Sequence, residues 1–129
     1  MRLFIAGDDT QILNLFRRVA EQEGWVVETC ETGRDLLEAV EDSSEPALLI
    51  VDIQMPDLDG IEVIDHLAVL ERPMRIRFIT GGPDSSALAA RMIAGARALD
   101  VGRFLMKPLR VQDLRSVLHD EAELLRSFG

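Results

Sequence analysis

The chain has 129 residues, of which 47% are hydrophobic and 29% are charged, values typical of a single globular domain spanning residues 1–129. No apolar run approaches the roughly 18 residues of a membrane span, and the apolar start, residues 3–6, is too short for a signal peptide. The net charge of −9 disfavours direct binding to nucleic acid or anionic lipid, and the lone Cys30 is compatible with a reducing cytoplasm.

Short apolar runs alternate along the chain with longer segments of helical period. The predicted strands are Arg2–Ala6, Trp25–Thr29, Ala47–Asp52, Arg75–Thr80 and Arg103–Met106. The predicted helices contain residues 12–19 (closed by Gly24), 36–40, 61–68 (ending before Pro73), about 83–100, and 114 to the end. Strict alternation of this kind predicts a parallel sheet with helices on both faces.

Four of the five predicted strands end on chemically useful residues. Asp8 and Asp9 follow the first strand, Asp52 ends the third, Thr80 ends the fourth and Lys107 follows the fifth. Because sites in open α/β sheets form at the carboxyl ends of the strands, these groups are expected to converge at one edge. Three carboxylates repel unless a cation joins them, and Mg²⁺ prefers oxygen ligands. A carboxylate beside Mg²⁺, an ammonium and a hydroxyl is suited to attack a phosphoryl group.

This pattern resembles the response-regulator receiver domain of bacterial two-component signalling over essentially the whole chain. The resemblance is carried by Asp8-Asp9, by D-x-x-M-P-x-x-x-G from Asp52 to Gly60, by Thr80-Gly81, and by Lys107-Pro108 with Phe104 three residues earlier. It implies an α/β fold: a flavodoxin-like, doubly wound, five-stranded parallel sheet of order 2-1-3-4-5 with five helices, (βα)5.

The resemblance also implies a role for each matching residue. Asp52 would be the phosphoacceptor, and Mg²⁺ would be held by Asp8, Asp9, Asp52 and the backbone carbonyl of Gln54. Lys107 and Thr80 would contact the phosphoryl oxygens, and the Lys107–Pro108 peptide bond would be cis. Thr80 and Phe104 would form the switch that follows phosphorylation.

The partners implied by the resemblance are a sensor histidine kinase or phosphotransfer protein and a downstream output domain or effector. Signalling would use the surface of the fourth helix, fifth strand and fifth helix, which would also serve a homodimer. The chain would be a cytoplasmic switch that dephosphorylates itself slowly, and not an enzyme. The run ALAARMIAGARAL, residues 87–99, is similar to one in receivers that precede cyclic-di-GMP phosphodiesterase domains.

Alternative functions are a receiver-like docking module that is not phosphorylated, a flavodoxin-like binding module, and a small Mg²⁺-dependent phosphatase of the haloacid dehalogenase type. The phosphatase would place its nucleophile at the first strand in a D-x-D pattern, whereas this chain has Asp8-Asp9-Thr10 there. Gly7 departs from the apolar residue more usual before the acidic pair. It is read either as a kink at the strand end or as a point of close backbone packing.

Overall fold

The computed structural model describes residues 1–52, 60–80 and 99–128, which form a five-stranded parallel sheet and four helices. The strands are β1 (Arg2–Ala6), β2 (Val26–Cys30), β3 (Ala47–Asp52), β4 (Met74–Thr80) and β5 (Leu105–Met106). The helices are α1 (Thr10–Gln22), α2 (Gly33–Ala39), α3 (Gly60–Ala68) and α4 (Val111–Phe128). The predicted helix at about 83–100 lies largely outside the described residues, so α4 corresponds to the fifth predicted helix.

The sheet has the order β2-β1-β3-β4-β5, which confirms the predicted doubly wound topology. Every residue of β3, the central strand, is buried, because helices cover both faces of the sheet. One face packs against α1 and α4 and is called the α1–α4 side. The other packs against α2 and α3 and is called the α2–α3 side.

Helix α1 shows how local chemistry sets the bounds of an element. The Asp9 side chain caps its first turn by accepting hydrogen bonds from the backbone N–H groups of Gln11 and Ile12, at 3.0 and 3.4 Å. Gly24 follows the end of the helix with φ of +90°, a conformation that side chains with a Cβ rarely adopt. The predicted closure at Gly24 is therefore confirmed.

The predicted strand bounds differ from the observed ones mainly at the last strand. β2 lies one residue later than predicted and β4 begins one residue earlier. The predicted strand Arg103–Met106 was too long, because only Leu105 and Met106 continue the ladder with β4. Asp100, near the predicted end of a helix, instead has its carbonyl bonded to the Ile76 N–H at 2.9 Å.

Candidate functional site at the carboxyl ends of the strands

Asp52 and Lys107 meet at the edge where the strands end. Asp52 is the last residue of β3 and is 2% exposed, although its neighbours in that strand are all apolar. The Lys107 Nζ lies 2.9 Å from Asp52 Oδ2, and the Lys107 side chain is 30% exposed. An ammonium this close offsets much of the cost of placing a carboxylate inside the domain. The Lys107–Pro108 peptide bond is cis, as expected from the resemblance.

The predicted acidic pair follows β1, the neighbour of β3, and the pairing of Ala6 with Val51 brings it to the same edge of the sheet as Asp52. Gly7 is buried, and a Cβ built there would lie 3.5 Å from the Asp52 Cβ, an ordinary packing distance. The space at residue 7 would therefore admit a Cβ, and both interpretations of Gly7 stay predictions. Asp8 and Asp9 follow it and are both exposed.

The chemistry of these oxygens fits Mg²⁺, which binds proteins through one or two carboxylates together with waters. Asp9 Oδ1 accepts both capping hydrogen bonds of α1, whereas Oδ2 takes no part in them. Within the described residues, no three His, Cys, Asp or Glu side chains are grouped closely enough to hold a metal ion. A cation shared by these acids and Asp52 would require the Asp8 and Asp9 side chains to turn toward Asp52. The fourth predicted ligand, Gln54, lies outside the described residues.

The two predicted switch residues are described to different extents. Thr80 ends β4 and its backbone pairs with Met106, while the placement of its hydroxyl lies outside the description. Phe104 packs against the α2–α3 side of the sheet. Its ring makes an edge-to-face contact with Phe78 of β4, with centroids 6.4 Å apart and an interplanar angle of 64°.

Sequence reasoning missed a second buried charged cluster, formed by Glu121 of α4 with Arg75 and Arg77 of β4. Glu121 is 0% exposed, and its carboxylate lies 2.7 Å from the Arg75 Nε and 2.6 Å from the Arg77 Nε. Burial raises the pKa of the Glu121 carboxyl, but hydrogen bonds and charges from both arginines outweigh burial and bring the pKa below its usual value. The hydrogen bonds to Glu121 in turn raise the pKa of Arg75.

The signal that could have found this cluster is present in the sequence. In RIRFIT, residues 75–80, arginine alternates with apolar residues inside a strand that should be buried on both faces. Glu121 falls in the apolar stripe of its helix, four residues before Leu125 and three after Leu118, which are both fully buried. Charges at such positions require a partner of opposite sign.

Comparison with known proteins supports the fold and the family. The family model described as the response regulator receiver domain matches residues 3–119. Response regulator MprA of Mycobacterium ulcerans is 30% identical over 114 residues, covering 88% of this chain. The chain spans 47% of that relative's length, about half.

Solved structures agree with this result. A response regulator from Colwellia psychrerythraea is 31% identical, with a TM-score of 0.73 and coverage of 95% of this chain and 97% of the other. A CheY-like receiver domain protein from Methanospirillum hungatei is 25% identical, with a TM-score of 0.78 and coverage of 99% and 98%.

Proposed function

Because the chain belongs to the response regulator receiver family of two-component signalling, we propose that it is a switch controlled by phosphorylation of Asp52. The observation that carries this proposal is the buried Asp52 carboxylate, paired with Lys107 and bordered by the exposed Asp8 and Asp9. A sensor histidine kinase or a phosphotransfer protein would donate the phosphoryl group. An output domain or effector protein would respond to the phosphorylated form.

In the proposed reaction an Asp52 carboxylate oxygen attacks phosphorus, and the bond from phosphorus to the donor atom breaks with its electron pair leaving on the donor. The Lys107 ammonium moves from pairing with the carboxylate to pairing with the phosphoryl oxygens. Asp8, Asp9, Asp52 and the Gln54 carbonyl would hold Mg²⁺, which would supply positive charge to offset the negative charge of the carboxylate and the phosphoryl oxygens. Thr80 donates its hydroxyl to a phosphoryl oxygen.

The energy for switching comes from this exchange of partners. A receiver shifted from 1% to 99% active needs about 5.5 kcal/mol of differential stabilisation. A phosphoryl dianion that draws Lys107 and Thr80 inward supplies stabilisation that the unmodified carboxylate lacks. Because Lys107 follows β5 directly and Thr80 pairs with β5, the change passes to the surface formed by β5, α4 and the predicted helix before β5. The same surface would serve a homodimer.

In this proposal the chain turns over no separate substrate, and slow hydrolysis of its own aspartyl phosphate resets it. It acts in the cytoplasm through proteins and without direct nucleic-acid contact, consistent with the net charge of −9. No helix in the described part of the chain is long and apolar enough to cross a membrane.

The proposal is tested by intact mass after incubation with phosphoramidate, with and without Mg²⁺. We expect one Mg²⁺-dependent phosphoryl adduct on the wild type and none on Asp52→Asn. Asp120→Asn, at an exposed position of α4, is the matched control and should be modified like the wild type. Absence of an adduct on the wild type would favour a docking module, and an adduct that survives in Asp52→Asn would show that another residue is the acceptor.

A further inference from the structure

The ladder between β4 and the chain before Lys107 contains one extra residue. Ile76 pairs with Val101, and both hydrogen bonds of that pair are present: Ile76 N–H to the Asp100 carbonyl, and Gly102 N–H to the Ile76 carbonyl, each at 2.9 Å. Pairing resumes where Ile79 meets Leu105. Between these two pairs, β4 advances by three residues, from 76 to 79, whereas the facing segment advances by four, from 101 to 105. The extra residue defines a one-residue β-bulge at residues 102–104.

This bulge decides which side of the sheet Phe104 faces. Val101 packs on the α2–α3 side, and strict alternation would then place Phe104 on the α1–α4 side and Leu105 on the α2–α3 side. The observed sides are reversed: Leu105 belongs to the α1–α4 core, whereas Phe104 lies on the α2–α3 side against the Phe78 ring. Because Lys107 directly follows β5, the extra residue also shifts the position of Lys107 relative to β4.

The Arg77 side chain bridges the interruption. Its Nη1 donates to the Arg103 carbonyl at 3.1 Å, within the stretch that has no ladder pairing. Gly102 lies against the same guanidinium, since a Cβ built there would be 2.4 Å from the Arg77 Nε and 2.9 Å from the Arg75 Nη2. The bulge is therefore shaped around Arg77, and the missing side chain at residue 102 leaves room for it.

Glu121 sets the orientation of Arg77. The two arginines are only 14% and 12% exposed, so their guanidiniums have little access to water. The Arg77 Nε donates to Glu121 Oε1 at 2.6 Å, which directs Nη1 toward Arg103. Arg75 donates to both Glu121 oxygens and to Asp100 Oδ1, one residue before Val101 and its pairing with Ile76. Helix α4 is thus joined to the bulge by charged hydrogen bonds.

We propose that Arg77, oriented by Glu121, is a positioning residue: it holds the bulge that turns Phe104 onto Phe78 and delivers Lys107 to Asp52. This inference rests on the proposed function as far as Lys107 acts in phosphoryl transfer, whereas the placement of Phe104 can be tested without it. It provides a physical connection between the acceptor site and α4.

The test compares Arg77→Met with Arg72→Met. Arg72 is a matched control because it is also partly buried and its guanidinium also donates to backbone carbonyls, those of Glu41 and Glu45. The first readout is the nuclear Overhauser contact between the Phe78 and Phe104 rings, without Mg²⁺ or phosphodonor. We expect it to disappear in Arg77→Met and to persist in Arg72→Met.

The second readout is the rate of phosphorylation by phosphoramidate with Mg²⁺, measured with Lys107 present and in the Lys107→Ala background. Arg77→Met should slow the reaction about ten- to a hundredfold when Lys107 is present, the loss expected from a displaced reacting group. In the Lys107→Ala background it should cause no further loss, because Arg77 acts through Lys107.

Retention of the ring contact in Arg77→Met, or an equal loss of rate in both backgrounds, would overturn the proposal. If the wild type is not phosphorylated, the proposed function fails, and the ring contact alone decides the positioning role. If Arg77→Met does not fold, Glu121→Gln replaces it. The amide keeps the shape of Glu121 but lacks its charge, so a weakened ring contact is expected and an unchanged one overturns the proposal.

Discussion

Two acidic side chains are buried in the described part of the chain, and their surroundings suit them to different roles. Glu121 is enclosed between two guanidiniums that donate to both of its oxygens. Asp52 lies at the end of a strand beside an exposed acidic pair, and its partner Lys107 is partly open to solvent. An enclosed carboxylate held by two guanidiniums stabilises packing, whereas a carboxylate at a strand end, beside a partly exposed ammonium, is the position that we propose for reaction.

Cys30 provides a prediction at the same scale. Burial, followed by the charges of Glu28 and Asp35, raises the pKa of its thiol from 9.0 to about 12. At pH 8 the folded protein should therefore hold about a thousandfold less thiolate than an ordinary cysteine. We expect Ellman's reagent to label the native protein at least a hundredfold more slowly than the urea-unfolded protein, in proportion to the thiolate fraction.

The same shift predicts the direction of a pH effect on stability. Well below pH 9.0 the thiol is almost fully protonated in both states, so it adds no pH dependence. As pH rises from 9.0 toward 12, the unfolded state loses the proton first, and the free energy of unfolding falls. Cys30→Ala should lack this component in urea titrations, and rapid labelling of the native wild type would contradict the assignment.

At the scale of elements, the packing of α4 on β4 depends on a contact that neither element encodes alone. Arg75 and Arg77 alternate with Ile76 and Phe78 along β4, so both arginines face α4. Glu121 meets them from a helix more than 40 residues later in the chain. Without Glu121 the arginines of β4, and without the arginines Glu121, would be buried as unpaired charges. Burying an unpaired charge costs several kcal/mol per ion.

Because of this contact, we expect the difference in unfolding free energy between the wild type and Glu121→Gln to depend on pH. The pKa of the Glu121 carboxyl lies below 4.5 in the folded protein, since the arginines outweigh burial. The stabilisation is therefore fully present above pH 4.5 and is lost as pH falls through the folded pKa. Glu121→Gln should cost about 2 kcal/mol at pH 7, and the gap from the wild type should shrink at lower pH.

The measurement is urea unfolding of both proteins from pH 7 to pH 3. Glu123→Gln is the matched control on the same helix, because Glu123 pairs with His119 at an exposed position. That variant should stay within about 0.5 kcal/mol of the wild type. A gap for Glu121→Gln that stays constant down to pH 3 would show that the Glu121 charge does not stabilise the fold.

At the scale of the whole molecule, the negative charge is concentrated in one part of the chain. Residues 21–45, which include β2 and α2, contain nine acidic residues and one arginine, Arg34, and thus most of the net charge of −9. All but one of these acids, Glu28, are exposed. Arginines pair with four of these acids, Glu21, Glu23, Glu28 and Glu38, but acids still outnumber arginines in this segment. Repulsion among the excess acids favours the unfolded chain, in which like charges are further apart.

We therefore expect salt to stabilise the protein. Raising NaCl from about 0.05 to about 0.5 M, with a chelator present to remove divalent cations, should increase the urea midpoint as the charges are screened. The double substitution Glu31→Gln and Glu38→Gln should reduce this increase. As the control, the double substitution Asp113→Asn and Asp120→Asn on α4 should leave the salt-dependent increase nearly unchanged. A midpoint that falls with salt would contradict this account.

Patterns local in the sequence determined the elements of this protein and the candidate acceptor residue. Alternating strand and helix periods predicted the parallel sheet, and the run LLIV ending on Asp52 marked a charge at the end of a buried strand. These predictions succeed because each depends on a few neighbouring residues. Their position at strand ends predicted that Asp52 and Lys107 converge at one edge of the sheet, and the structure places the two side chains together there.

The tertiary structure alone decided how β5 is aligned with β4 and which charges are buried between β4 and α4. RFLM, residues 103–106, reads locally as one strand, yet the extra residue beside Arg77 shortens β5 and turns Phe104 to the opposite side of the sheet. This bulge depends on β4, its partner strand, and on Glu121, which accepts a hydrogen bond from Arg77. Such contacts join residues far apart in the chain, so no local pattern contains them.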